Sequence, residues 1–476
     1  MIAVAFALTT TASRSRAEAP SPSSAAEPSS AATPTRPNIL LIVADDLGWA
    51  DVGWHQGFGN TPVMNRLVAE GVELDRHYVQ PVCTPTRTAL MSGRYPGRFG
   101  PQALKPNNLR AMSPGTLTIA SALQSLGYET SQCGKWHLGS KPEWGPNAFG
   151  FDHSYGTLTG AADPWTHFYR PGKFLDTWHR DGTLFQEKGN ATELMAAEAV
   201  SRIRNGRLDP DGRRAPWFVY VPFHAVHTPV DAPEEFKRLY DGVMFDTDPA
   251  KQDSRLRLAA MVSQLDAKIG DLVAAVEATG QRNNTLIVFT SDNGGKEHAD
   301  NPYVGEVPGS PLNSENAPLR GEKNQLYDGG IRVCAFANWP GVLPAGKSRA
   351  VMHAVDWFPT ISGLVGFEAP ATARWDGVDR WSALSYRAEA GRPRPIYVAH
   401  STGAAIIDDD WKLIARTGGK QPELFNLAAD PCETLNLAAD RPDQVGRLKQ
   451  LLAAEKLLDM AEIPTDLAAD PEAGSH

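Results

Sequence analysis

Two pairs of oxygen-bearing residues, three acids and an amide, terminate two apolar runs in this chain. Asn38-Ile39-Leu40-Leu41-Ile42-Val43-Ala44 leads into Asp45-Asp46, and Thr285-Leu286-Ile287-Val288-Phe289-Thr290 leads through Ser291 into Asp292-Asn293. Continuous apolar runs of this length read as strands buried on both faces, and ligands of open α/β sheets gather beyond the carboxyl ends of the strands. Alone, Asp45-Asp46 is equally a solvated strand-end pair. Beside Asp292-Asn293 it reads as half of one divalent site. Three carboxylates and an amide offer hard oxygen ligands, which suit Ca²⁺ or Mg²⁺ rather than Zn²⁺.

A candidate nucleophile accompanies them. Cys83 stands in Pro81-Val82-Cys83-Thr84-Pro85-Thr86-Arg87, after a segment, 72–79, whose alternating apolar residues predict a half-buried strand. Pro85 fits a first helical turn, which places Cys83 just before a helix N-terminus, where unpaired N–H groups attract an oxyanion. Taken singly, such a cysteine is a small buried thiol. Three further stretches carry candidate chemistry. Lys135 and His137 share one side of an extended segment if the strand conformation continues. His227 lies in a loop just past the apolar run 216–222, and Lys323 lies in a glycine-punctuated loop, 318–330. Any one of these is an ordinary surface or packing residue.

Their joint occurrence is more specific. Cys83-Thr84-Pro85-Thr86-Arg87 matches C-x-P-x-R and continues to Ser92-Gly93-Arg94; Gly134-Lys135-Trp136-His137-Leu138-Gly139 and Ser291-Asp292-Asn293-Gly294-Gly295 follow in order. From about Pro37 to Leu437 the chain resembles the type I sulfatases of the alkaline phosphatase-like superfamily. Leu158-Thr159-Gly160, Thr166-His167 and Pro318-Leu319-Arg320-Gly321 are most similar to the arylsulfatase B (N-acetylgalactosamine-4-sulfatase) branch.

The resemblance implies a sulfuric ester hydrolase acting on a sulfated saccharide or aryl sulfate. It implies that a formylglycine-generating or maturase enzyme oxidises Cys83 to formylglycine, whose hydrate is the nucleophile. Asp45, Asp46, Asp292, Asn293 and an oxygen of residue 83 would bind calcium, with magnesium as the alternative. On the same footing Lys135 and Lys323 bind the sulfate, protonated His227 assists the departing alcohol, His137 is the base that takes a proton from the second hydroxyl, and Arg87 orients the hydrate. Which histidine is acid and which is base comes from the family alone. The scaffold leaves open a phosphate or phosphonate monoester hydrolase, and also a calcium-containing carbohydrate-binding relative that is never matured. Lys135, His137, His227 and Lys323 together count against the latter, because a binder needs no acid and base.

The elements that must position these residues alternate between strand and helix. Residues 61–71, 118–127 and 255–279 have helical apolar spacing, while 216–222 is a further strand. The expected fold is α/β, a mainly parallel sheet sandwiched by helices, with a smaller C-terminal antiparallel sheet plus helix built from four short strand runs after Pro395 and an amphipathic stretch, 443–460. The expected organisation is a signal or disordered leader over 1–36, a catalytic domain over 37–370 and a small α+β subdomain over 371–476. The phrase 430–437 is assigned a structural role, and the loop His400-Ser401-Thr402-Gly403 could reach the site. Trp144, Asp163, Trp165, His167 and Tyr169 either line a sugar-binding mouth or are packing and surface residues.

Composition bounds the partners. The 476 residues are 42% hydrophobic and 21% charged with a net charge of -9, which argues against a nucleic-acid surface. No later apolar run approaches a membrane span. The apolar run 1–8 followed by Ala17-Glu18-Ala19 resembles an export signal without a preceding Lys or Arg, and the Ser-, Ala- and Pro-rich residues 20–37 follow it. Export to a periplasm or outside the cell is the expectation. Four cysteines are too few for a disulfide framework, so Cys133, Cys334 and Cys432 are expected to be small buried residues.

Overall fold

The computed structural model describes residues 36–208, 212, 214–297, 303–305, 307, 314–385 and 394–468, besides Met1. The expected leader lies almost wholly outside the described residues. Strand Asn38–Ala44 runs between Trp217–Pro222 and Thr285–Ser291, parallel to both. Outward from Trp217–Pro222 come Glu129–Lys135 and His153–Thr157, also parallel, then the short antiparallel strands Trp178–Arg180 and Thr183–Leu184. On the other side Ala335–Asn338 is antiparallel to Thr285–Ser291, and Val72–Leu74 and Gly346–Ser348 complete a ten-stranded sheet.

The central strand shows why an unbroken apolar run was needed. Ile39, Leu41 and Val43 enter one core with helix Cys83–Ser92 and helix Trp357–Val365. Leu40, Ile42 and Ala44 enter the opposite core with helix Pro249–Ala278. Each buried Leu or Ile contributes roughly 1.5–3 kcal/mol relative to exposure, so a polar residue on either face would be costly.

The segment 72–79 does not form one strand. It breaks at Asp75-Arg76, because Val72–Leu74 pairs within the large sheet whereas His77–Tyr78 pairs with Met352–His353 in a separate two-stranded ladder. Helix Pro249–Ala278 starts earlier than its apolar spacing predicts, since the Asp248 carboxylate accepts from Ala250 N–H at 3.0 Å and Pro249 occupies the first helical position.

The C-terminal sheet is antiparallel, in the order Ile396–His400, Gly403–Asp408, Trp411–Arg416, Glu423–Asn426, and helix Pro442–Lys456 follows. One face packs on Val445, Leu448 and Leu452 of that helix. The other, through Ile396, Val398, Ile407, Ile414 and Phe425, packs on Tyr78, Leu326 and Ile331. The second sheet therefore backs the loop that carries Lys323. Cys133 and Cys334 are buried as expected, whereas Cys432 is only half-buried.

Candidate active site

Strand register brings the acidic pairs together. Ala44 stands opposite Ser291, so Asp45-Asp46 and Asp292-Asn293 leave adjacent parallel strands at one level. Asp292 N–H donates to the Ala44 carbonyl at 3.0 Å and Asp46 N–H to Asp292 Oδ1 at 3.3 Å. Asp46 turns out of the strand with φ +60°, a left-handed conformation that Asp tolerates better than most residues. All four side chains are buried. Helix Cys83–Ser92 begins beside them, with Cys83 as its first residue rather than just ahead of it and no side chain capping its N-terminus. The Cys83 thiol lies 3.6 Å from Asp45 Oδ1. Ligand atoms of Asp45, Asp46, Cys83 and His227 all lie within 4.8 Å of one another.

Each carboxylate has its own cation. Lys135 Nζ is 2.5 Å from Asp45 Oδ2, and Lys323 Nζ is 2.6 and 2.8 Å from the two oxygens of Asp46. Arg87 donates through Nε and Nη2 to Asp292 Oδ2 at 3.0 and 2.8 Å, and through Nη1 to the Lys135 carbonyl at 2.9 Å. These pairings differ from the roles that the resemblance implies. Arg87 is engaged with Asp292, one turn of helix having aimed it across at the neighbouring strand end, and Lys135 and Lys323 grip carboxylates because isolated buried charges are so costly. Burial alone would raise the Asp46 carboxyl, but Lys323, then His227 and Lys135, hold it well below the usual carboxylate range. Burial and then the Asp292 charge push the Cys83 thiol up to about 12.

The donor set fits a hard divalent ion. Asn293 Nδ2 donates to Asp46 Oδ1 at 2.8 Å and to the Gly294 carbonyl at 2.9 Å, which turns Oδ1 the other way. That oxygen is buried and has no hydrogen-bond partner among the described residues. An orphaned amide oxygen next to three carboxylates is what an oxygen-ligated cation would satisfy.

The two histidines stand in different environments. His137 has φ +56°, and its carbonyl accepts from Thr84 Oγ1 at 3.1 Å, which ties it to the helix of Cys83. Burial, reinforced by Lys135 and Arg87, keeps its ring neutral, and its Nδ1 has no partner among the described residues. His227 Nδ1 is 2.6 Å from the Thr228 carbonyl, to which it donates, and Nε2 is 3.6 Å from Asp46 Oδ2. Burial pushes its pKa down to about 3 in spite of Asp46, because Lys323 and Lys135 oppose protonation. His227 is therefore neutral in the free site; an anionic ester beside Nε2 would favour the proton.

Gly160 makes room for the His137 ring. A Cβ at this position would lie 2.4 Å from Cε1 and Nε2 of His137. Gly160→Ala should push the imidazole aside and lower kcat about a hundredfold, the scale of a misplacement near 1 Å. The melting temperature should hardly move, because a side chain rather than backbone gives way; steady-state kinetics beside a thermal melt checks this.

A cavity of about 500 Å³ opens above this cluster, lined by Asp46, Cys83, His137, His227 and Lys323. Lys135 and Arg87 lie behind that surface. Of the expected mouth residues only Tyr169 lines it. Asp163 instead accepts from the N–H groups of Trp165 and Thr166, His167 stacks on Trp178 at 4.2 Å, Trp165 donates to Asp231, and Trp144 lies under Lys141. His400, Ser401 and Thr402 line an adjoining cavity that shares Pro106 and Asn324 with the first. Arg170, Lys296 and Tyr303 also line the main cavity and were missed. They lie in loops without periodicity, where no spacing marks them.

Residues 37–367 match the Sulfatase family model. Arylsulfatase J of Mus musculus is 30% identical over 481 aligned residues, covering 89% of this chain and 76% of that protein. N-acetylgalactosamine-6-sulfatase of Sus scrofa is 28% identical, covering 87% and 78%. Among solved structures, Ps i-CgsB in complex with k-i-k-neocarrahexaose superposes with a TM-score of 0.77 at 28% identity, covering 91% of this chain and 96% of that one. PsFucS1 sulfatase from Pseudoalteromonas sp. superposes with a TM-score of 0.70 at 25% identity, covering 89% and 90%.

Proposed function

The chain belongs to the sulfatase family and is a sulfuric ester hydrolase, and from that premise we propose that it removes sulfate from a sulfated saccharide, with formylglycine made from Cys83 as nucleophile and calcium as cofactor. The observation that carries this reading is the meeting of Asp45, Asp46, Cys83 and His227, with Asp292 and Asn293 hydrogen-bonded to Asp46, under a cavity that also holds His137 and Lys323. The saccharide class is supported by the sugar-bound relative and by the adjoining cavity that shares Pro106 and Asn324 with the first.

Asp45, Asp46, Asp292 and Asn293 would hold the calcium, which supplies Lewis-acid polarisation of the sulfate oxygens. Formylglycine at position 83 would supply, as its hydrate, one hydroxyl as nucleophile and a second for a base to deprotonate. The remaining work falls to the chain's own side chains. Lys323, at the cavity wall, and Lys135 behind it supply positive charge around the sulfate oxygens in a site organised in advance. His227, which takes up a second proton on Nε2 when the anionic ester lies beside it, delivers that proton to the departing alcohol oxygen, since Nδ1 is already committed to the Thr228 carbonyl. His137, neutral, takes the proton of the second hydroxyl. Arg87 orients the Asp292 carboxylate through a two-point grip.

Burial of Cys83 in the folded chain implies that its maturation enzyme acts before helix Cys83–Ser92 packs. Among the described residues no helix is long and apolar enough to cross a membrane. Export is part of the proposal, resting on the apolar run and small residues near Met1. The test uses matched 4-nitrophenyl sulfate and phosphate. Sulfate should be the better substrate, and dialysis against a chelator should lower turnover about a hundredfold or more, with Ca²⁺ restoring it. A preference for the phosphate would replace this reading with a phosphate monoester hydrolase.

A further inference from the structure

The rim of the cavity carries charge that the sulfate-holding set does not use. Lys323 is committed to Asp46, but Arg170 and Lys296 also line the cavity. Arg170 is exposed. Its guanidinium carbon lies 5.4 Å from the Tyr169 ring centroid and 5.3 Å from that of Tyr303. The two tyrosine rings are 5.6 Å apart, and the Tyr303 ring is in turn 6.1 Å from that of His227. Val304 N–H donates to the Tyr169 carbonyl at 2.9 Å, which joins the two loops.

A guanidinium has five N–H donors in a planar fork. Two aromatic neighbours flank it, with the Tyr303 side chain within its hydrogen-bonding reach. No carboxylate of the described residues pairs with Arg170. An oriented cation at the rim, one ring away from the histidine assigned to the leaving group, faces whatever surrounds the scissile ester. An uncharged aglycone would give it nothing to bind.

We propose that Arg170 is a specificity-determining residue that binds a second oxyanion of the substrate, a sulfate or a carboxylate on the sugar that carries the scissile ester or on its neighbour. The proposal rests on the sulfatase reading and deepens it, since it makes the substrate a multiply anionic saccharide. Charge-assisted, two-point recognition of this kind is worth about tenfold to a hundredfold in affinity.

Binding is measured by calorimetry on full-length Cys83→Ala protein, which holds ligand without turning it over. The probes are galactose, N-acetylgalactosamine and N-acetylglucosamine monosulfates, their disulfated counterparts, and a monosulfated disaccharide bearing a uronate. At least one doubly anionic probe should bind about tenfold to a hundredfold more tightly than its monosulfate. Adding Arg170→Gln should bring that ratio to within about twofold, and Arg170→Lys should recover part of it, as a point charge without the fork. Whether the disulfates or the uronate show the effect identifies the second oxyanion. No preference in the Cys83→Ala protein, or a preference that survives Arg170→Gln, overturns the proposal. Failure of the sulfatase reading looks different: the Cys83 enzyme would cleave none of the sulfate esters while the Arg170-dependent preference persisted.

Discussion

Cys83→Ala should lower turnover of 4-nitrophenyl sulfate by at least about 10⁴-fold, the scale at which removal of a nucleophile leaves only binding and electrostatics. Its melting temperature should stay within a few degrees of the parent, since the side chain removed is one sulfur atom at the start of a helix. Cys83→Ser separates the chemistry further. A serine hydroxyl can attack sulfur, but the sulfate ester it forms has no second hydroxyl to lose a proton, so His137 has nothing on which to act. The expected outcome is little turnover, unless the host's maturation enzyme oxidises serine, and mass spectrometry of the variant should find a sulfated serine in the peptide that spans position 83. Buried beside Asp45 and Asp292, the native thiol is a poor nucleophile, and the active parent should therefore contain formylglycine in place of Cys83. Full activity in protein whose Cys83 peptide carries an unmodified thiol would sink the proposed mechanism.

How much of this was legible in the sequence depends on which residues are asked about. Asp45, Asp46, Asp292 and Asn293 could be found because each follows an unbroken apolar run, and a strand buried on both faces admits no other pattern. Register then does the rest: Ala44 opposite Ser291 was not readable, yet two parallel strands ending in acids leave few alternatives. Side-chain partners were less accessible. Arg87 was assigned to residue 83, which lies one helical turn away, but a long side chain on a buried helix reaches across to a neighbouring strand end, and Asp292 is there. The protonation of His227 depends on a balance between burial, Asp46 and two lysines, which no local pattern encodes. Arg170 and Tyr303 meet where Val304 N–H donates to the Tyr169 carbonyl and Thr166 Oγ1 donates to the Val304 carbonyl, loop-to-loop hydrogen bonds with no periodic signal. The split of 72–79 had the same cause, since pairing partners from two different ladders decided where one apparent strand ended.

The C-terminal phrase around Glu433 was assigned a structural role, and the structure supplies a specific one. Lys412 Nζ lies 2.8 Å from Asp328 Oδ1 and 2.8 Å from Glu433 Oε1, and all three side chains are fully buried. Glu433 also accepts from Asp328 N–H at 2.6 Å, at the start of the short helix that follows Lys323. The second sheet thus fixes the active-site loop electrostatically as well as by packing. Lys412→Ala removes a cation that touches both carboxylates, and a buried pair left without its partner costs about 3–5 kcal/mol. The variant should unfold at markedly lower denaturant and, where folded, lose activity through the loosened Lys323 loop. Lys412→Met combined with Glu433→Gln should recover part of that stability, because the second change replaces a buried carboxyl that the first has left without its cation. A pH dependence follows in the parent. Burial, with Asp328 adding to it, pushes Glu433 up to about 7 although Lys412 pulls the other way. The folded chain therefore holds a proton there that the unfolded chain releases near 4.5, so this contribution is complete below that pH and is lost as pH rises through about 7. Denaturant titrations across that window should show a decline that Glu433→Gln flattens; a decline of the same slope in the variant would assign the proton elsewhere.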